Sequence, residues 1–358
     1  MTKIGDSENN ITTMKALVFH GANNLALEDR PKPKIIHATD AIVRIATTTI
    51  CGTDLHILKG DVPTITAGRI LGHEGVGMIE EIGTNVSGFH KGDKVLISLI
   101  TSCGGCSFCK KGMYSHCRNL GWLLGNSIDG TQAEYVRIPF ADTGLYLLPP
   151  DVDDEAVVML SCILPTGLEC GTMNGQVKPG DIVAIVGAGP VGLAVLLTAQ
   201  LYSPAGIVMI DLDDNRLEIA RLFGATQVVN SSDGKAAERV MALTQSAGVD
   251  VAIEAVGLSA TFNICQEIIA SGGHIANVGV HGKSVELHLE SLWASNITLT
   301  TRLVDADTTP MLLRMVQSGR LDTKKLISHR FGLMEILKAY NIFGNAAKER
   351  ALKVVIIT

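Results

Sequence analysis

The apolar run Ile182–Val186 ends in GAGPVG, and a second apolar segment of helical length, Leu193–Tyr202, follows at once. Gly187, Gly189 and Gly192 satisfy G-x-G-x-x-G, with Pro190 and Val191 between the last two. Strand, glycine turn and helix in that order leave few folds open. The first glycine permits a tight turn, the second lets a diphosphate reach the backbone, and the third lets helix and strand pack closely. The helix start adds unpaired N–H groups and a partial positive charge. Alone the motif is weak, so its surroundings decide. Asp211 closes the next apolar run, Ile207–Ile210, where a carboxylate grips ribose hydroxyls and repels a 2′-phosphate. Neither Leu212 nor Asp213 offers a cation, and Arg216 lies too far along to count on, so NAD is expected over NADP. Gln227–Val229, Val251–Glu254, His274–Val278 and Ile297–Thr301 continue the alternation of apolar runs with helix-period segments. That pattern predicts a doubly wound parallel sheet, a Rossmann α/β domain, over residues 162–303.

The first part of the chain has another texture. Lys15–His20, Ala41–Thr48, Val76–Ile82, Lys94–Ile100, Ala133–Ile138 and Leu145–Leu148 are short β segments punctuated by Gly, Pro and Asp. They predict a barrel-like β domain from residue 14 to 161. After Leu303 come helical stretches near Pro310–Gln317 and Leu333–Phe343, then the strand Leu352–Ile357. This tail is expected to return to the β domain, which would then comprise residues 14–161 and 304–358. Residues 1–13 read as a loose polar tail without the apolar stretch of a secretory signal. Two domains suit 358 residues. A net charge of −6 argues against a nucleic-acid partner, and the lack of a long uninterrupted apolar run argues against a membrane span.

Eight cysteines in a long chain with no signal point to reduced, metal-holding thiolates in the cytoplasm. Cys103, Cys106, Cys109 and Cys117 form C-x2-C-x2-C-x7-C, enough thiolate to close a tetrahedral structural zinc site. An iron–sulfur cluster is the rival, though nothing else in the chain suggests electron transfer. Upstream, CGTDLHILKGDVPTITAGRILGHE gathers Cys51, Thr53, Asp54, His56, His73 and Glu74. Cys51 and His73 are too distant to share a helix, so a common site needs the chain to fold back, which Gly68 and Gly72 permit. Cysteine, histidine and carboxylate suit zinc; a buried cysteine and an unrelated surface histidine are the plain alternative. A catalytic zinc would need a third protein ligand, and Cys162 in LSCILPTG is the candidate, against a reading as a small buried hydrophobe. Cys170 and Cys265 receive no role.

CGTDLH, GHEGVG, the four-cysteine lobe, C-x3-TG and GAGPVG stand in the order found in the zinc-dependent medium-chain alcohol dehydrogenases, which the chain resembles over almost all its length after Met14. The resemblance implies a GroES-like catalytic domain beside the Rossmann domain, with two zinc ions per chain and NAD. Cys51, His73 and Cys162 would hold the catalytic zinc, with Glu74 as an alternate ligand. Thr53 would stand beside the substrate oxygen and His56 at the outer end of a proton relay. Asp54 and Glu74 would orient the ligands, and Lys353 would contact the cofactor pyrophosphate. Gly52 departs from the vertebrate liver enzymes, which carry an arginine there. GWLLGNSIDGTQAEY resembles the bacterial secondary-alcohol dehydrogenases, which makes Trp122, together with Leu99, a substrate-pocket candidate. The reaction implied is reversible oxidation of a small primary or secondary alcohol to aldehyde or ketone, in a homo-oligomer, a tetramer ahead of a dimer. A polyol or threonine dehydrogenase is the alternative within the family. A zinc-free quinone reductase lacks these ligands, and a non-catalytic NAD-binding protein would leave the relay unexplained.

Overall fold

The computed structural model describes residues 12–119 and 121–358. The parallel sheet is the simpler half. Its order is Gln227–Asn230, Gly206–Asp211, Ile182–Val186, Val249–Glu254, Ile269–Asn277 and Thr298–Thr301, with every neighbouring pair parallel. The chain starts at the third position, runs to one edge, then returns to fill the other. The reversal falls beside Ile182–Val186, so the glycine turn opens where the sheet changes direction, the usual ligand crevice of such folds.

The other half is antiparallel for the most part. Ala41–Ile50 lies at its centre, flanked by Gly75–Ile82 and Lys353–Ile357, with Tyr135–Ile138 also pairing to it. The C-terminal strand therefore returns to the first sheet. Thr13–Phe19, Leu25–Pro31 and Arg69–Ile70 make a smaller sheet. The expected loose tail lies outside the described residues up to residue 11, and Thr13 already opens a strand.

Some strands escape the sequence patterns or differ from them, the two-residue Arg69–Ile70 among them. Leu25–Pro31 (LALEDRP) and Ile327–Gly332 (ISHRFG) are polar strands at sheet edges, so alternation never shows. Ile269–Asn277 begins five residues before the expected His274. Gly272 and Gly273 interrupt its apolar pattern, and the register shifts opposite Val249/Val251.

One apolar core crosses from sheet to sheet. Val76, Leu96 and Leu148 share it with Leu160, Leu164, Leu168, Leu193 and Val195. Its centre is a helix pair: Ile163–Thr166, continued by the π-helical turn Gly167–Met173, against Pro190–Ala199. A Cβ on Gly167 would stand 2.7 Å from the Ala194 carbonyl carbon, and one on Gly171 would stand 2.6 Å from Val195 Cγ2. Glycine is what lets the two helices approach this closely. Cys162 begins the first helix and Gly189 caps the second. Among the described residues, no helix is long and apolar enough to cross a membrane.

The turn that presents His73 depends on Gly72, whose φ is +93° and whose Cβ would meet Gln132 Cγ at 2.7 Å. Gly72→Ala should cost about 1–3 kcal/mol of stability, read as a lower urea midpoint. An unchanged midpoint would show that the turn tolerates a side chain.

Candidate active site

Cys51 follows the central strand and caps the helix Gly52–Lys59. Asp54, in the helix's first turn, accepts the Cys51 N–H at 2.9 Å. Gln132 Nε2 donates to the same carboxylate oxygen at 3.2 Å, and the Tyr340 hydroxyl donates to Gln132 at 2.8 Å. All three side chains are buried, so the cysteine's position is set by a dry chain of hydrogen bonds. Burial pushes Asp54 up to about 6, a shift that the neighbouring His73 opposes. His73 and Glu74 follow the Gly72 turn. Ser161 Oγ takes the Gly75 N–H at 3.1 Å, which brings the adjacent Cys162 to the same place.

The result is a tight group. The ligand atoms of Cys51, His73, Glu74 and Cys162 all lie within 4.8 Å of one another. The Cys162 thiol beside it holds Cys51 well below the usual thiol range although burial opposes this, and the same contact with burial raises Cys162. Burial works against a charged His73, yet the Cys51 sulfur raises it to about 9. His73 Nδ1 and Glu74 Oε1 are buried with no hydrogen-bond partner. Two thiols, an imidazole and a carboxylate with orphaned buried atoms are a donor set that fits zinc.

A second group sits on a surface lobe. The sulfurs of Cys103, Cys106, Cys109 and Cys117 also lie within 4.8 Å of one another, with Cys106 and Cys109 3.5 Å apart. The backbone N–H groups of Cys109 and Arg118 draw Cys106 down to about 6. Four sulfurs fill a tetrahedron and leave no open position.

Thr53 Oγ1 is 3.7 Å from Cys51 Sγ, inside the site. His56, one turn further along, has a 41% exposed side chain whose Nδ1 is 3.0 Å from Asp61 Oδ2. The Trp122 ring meets His73 edge-on at 6.0 Å and ties its Nε1–H to the Leu124 carbonyl. Leu99, Val304 and Ala306 join Cys162 in an apolar wall, against which Cys51, Trp122 and Val278 pack. Val278 comes from the end of the parallel sheet, so both domains face the site.

At the glycine turn Gly187 has φ +108°, and a Cβ on Gly192 would collide with the Gly187 carbonyl. Pro190 and Val191 open the helix. Asp211 accepts the Ala188 N–H at 2.7 Å and the Asp213 N–H at 3.0 Å, tying the turn to the next strand.

A model described as alcohol dehydrogenase GroES-like domain matches residues 37–150, and one described as zinc-binding dehydrogenase matches 190–318. An alcohol dehydrogenase of Cupriavidus necator is 37% identical over 96% of this chain and 98% of its own. The chain belongs to the zinc-dependent medium-chain alcohol dehydrogenases. Solved relatives agree. The apo form of zinc dependent alcohol dehydrogenase 2 from Streptococcus pneumonia is 56% identical, with a TM-score of 0.92 over 96% of this chain and 98% of that one. Alcohol dehydrogenase TADH from Thermus sp. ATN1 is 34% identical, with a TM-score of 0.89 over 96% and 99%.

The dehydrogenase departs from the sequence reading at two cations. Lys353, expected at the cofactor pyrophosphate, is instead 1% exposed and points at the metal group. Its Nζ lies 2.7 Å from Glu74 Oε2 and 3.1 Å from the Ile50 carbonyl, because its strand pairs with the one ending at Ile50. Thr49 Oγ1 donates to the same Glu74 oxygen. Arg216, set aside as too distant, comes close to the glycine turn: a Cβ on Gly189 would sit 3.9 Å from its Nη1. Gln132, Ser161 and Tyr340 were missed altogether. No local motif marks them, since each acts on a residue far away in sequence.

Lys353→Met should leave the Glu74 carboxylate buried and uncompensated, costing about 3–5 kcal/mol by denaturant unfolding. Lys353→Arg, which keeps the charge, should recover part of that loss. A loss below 1 kcal/mol for the methionine variant would mean the pair does not hold the site.

Proposed function

We propose that this dehydrogenase oxidises a small primary or secondary alcohol with NAD, reversibly, to the aldehyde or ketone, and carries two zinc ions per chain. The observation that carries the reading is the Cys51–His73–Cys162 group facing an apolar wall built by both domains. Zinc held there would supply Lewis acidity that makes a hydroxyl far more acidic, as it lowers the pKa of water from about 16 to ~7. NAD would supply the hydride acceptor, with its diphosphate at Gly187–Gly192 and its ribose at Asp211.

The chain's own residues do the rest. Thr53 Oγ1, beside Cys51, takes the alcohol's proton and passes it outward. His56, exposed on the next turn, delivers it to solvent. Leu99, Trp122, Val278, Val304 and Ala306 exclude water from the alkyl side. That wall favours a monohydric alcohol over a polyol, whose extra hydroxyls would lose their water partners against it. A non-catalytic NAD-binding role would leave the metal group and Thr53 without a purpose. Eight free thiols suit a reducing cytoplasm. Homo-oligomerisation, with a tetramer favoured over a dimer, belongs to the same proposal; the open edge at Thr298–Thr301 and the 79% exposed Trp293 give it a surface.

Purified protein should contain two zinc ions per chain by elemental analysis and reduce NAD with ethanol and 2-propanol. Thr53→Ala should lower kcat by ~10²- to 10⁴-fold with zinc retained, whereas Thr53→Ser should keep much of it. His56→Gln should cost less, roughly 10- to 100-fold, and added imidazole should partly restore it. Near-normal kcat in Thr53→Ala would remove the relay, and activity confined to polyols or amino alcohols would replace the substrate class.

A further inference from the structure

The four-cysteine lobe does not end at its cysteines. Ser115, in the short turn Tyr114–His116 just before Cys117, donates its N–H and its hydroxyl to Asp305 Oδ1, at 2.9 and 2.7 Å. Asp305 is buried, and its other oxygen accepts from Arg302 at 3.1 Å. Its backbone N–H in turn donates to Glu169 Oε2 at 2.8 Å. Glu169 is wholly buried and also accepts from the N–H groups of Ala306 and Thr308 and from the Thr308 hydroxyl. It stands on the turn that continues the helix begun at Cys162. One carboxylate thus shapes residues 305–308, and the next anchors them to the lobe.

The anchored segment matters because of what flanks Asp305. Val304 and Ala306 belong to the apolar cluster of Cys162 and Leu99, and Tyr114, beside Ser115 in the lobe, packs against the same cluster. The Tyr146 hydroxyl fixes Ala306 further by donating to its carbonyl at 2.8 Å. Nothing in the metal group requires these bonds. Their effect is on the wall that an alkyl chain would meet.

We propose that Asp305 is a positioning residue, and that the Ser115–Asp305–Glu169 chain makes the four-cysteine lobe part of substrate selection by holding Val304, Ala306 and Tyr114 in place. The inference rests on the alcohol-oxidising reading above. Hydrogen bonds to a buried carboxylate are among the stronger ones, and removing the Ser115 hydroxyl leaves Asp305 Oδ1 tied to the lobe by the Ser115 N–H alone. A displaced wall weakens binding in proportion to the alkyl chain it covers, since each buried methylene is worth roughly fourfold in affinity. The chemical step itself, at Cys51, His73, Cys162 and Thr53, stays in place.

The test is steady-state kinetics of the intact protein on straight-chain primary alcohols from ethanol to hexanol, with zinc measured on each preparation. Ser115→Ala should raise KM for the longest alcohols roughly 5- to 20-fold and for ethanol much less, with kcat within about threefold and zinc unchanged. Ser115→Thr, which keeps the hydroxyl, should return the profile toward wild type. A purely structural role would instead lower the active fraction, hence kcat, with KM unmoved at every length; that result, or a KM raised equally for all lengths, overturns the proposal. If Ser115→Ala yields no folded protein, Tyr114→Leu decides by the same profile: a shifted chain-length preference supports the wall and an unshifted one removes it. A wild-type protein that oxidises none of the alcohols removes the reading beneath the inference, a failure visible before any variant is made.

Discussion

Bringing two thiols, an imidazole and a carboxylate within 4.8 Å of one another in a dry interior is costly unless their charges are answered. The remaining architecture can be read as the answer. Lys353 and Thr49 satisfy one oxygen of Glu74, Asp54 fixes the Cys51 backbone, and Gln132 with Tyr340 fixes Asp54. A divalent metal held by Cys51, His73 and Cys162 would complete the balance, because it would set positive charge beside the two sulfurs. Thr49 and Asp54 flank Cys51 in sequence, whereas Gln132, Tyr340 and Lys353 come from distant stretches, and the C-terminal strand returns to the first sheet to supply Lys353. A chain ending before Lys353 would lose the cation that the metal group leans on.

The second requirement is that this group face the cofactor crevice. The glycine-tight helix pair meets it: Cys162 starts one helix, the glycine turn starts the other, and Gly167 and Gly171 let them touch. Cys162 and the glycine turn therefore sit on one packed helix pair rather than on two bodies joined by loops. The shared apolar core between the sheets reinforces this. Catalytic geometry of this kind needs rigid support more than flexible reach.

Local chemistry with a fixed spacing was legible in the sequence. The glycine turn and the four clustered cysteines show within a few residues, as do apolar strands such as Ile182–Val186, whereas the gathering of Cys51, His73 and Cys162 showed through the order of motifs shared with the family. What stayed hidden acts across distance. Gln132 meets Asp54, and Tyr340 meets Gln132, only in the folded chain, and Lys353, expected at the cofactor pyrophosphate, is turned inward by strand pairing. Arg216 looked remote because sequence separation was counted as distance, whereas the helix Asp214–Leu222 carries it to the glycine turn. Polar edge strands such as Ile327–Gly332 left no alternation to find.

The ligand assignment is most directly open to X-ray absorption at the zinc edge of the purified protein. With both groups filled, the averaged shell must hold about three sulfurs for each nitrogen or oxygen, since one site is all thiolate and the other is half thiolate. A shell of sulfur alone would place zinc only in the Cys103–Cys117 lobe and contradict a metal at Cys51, His73 and Cys162.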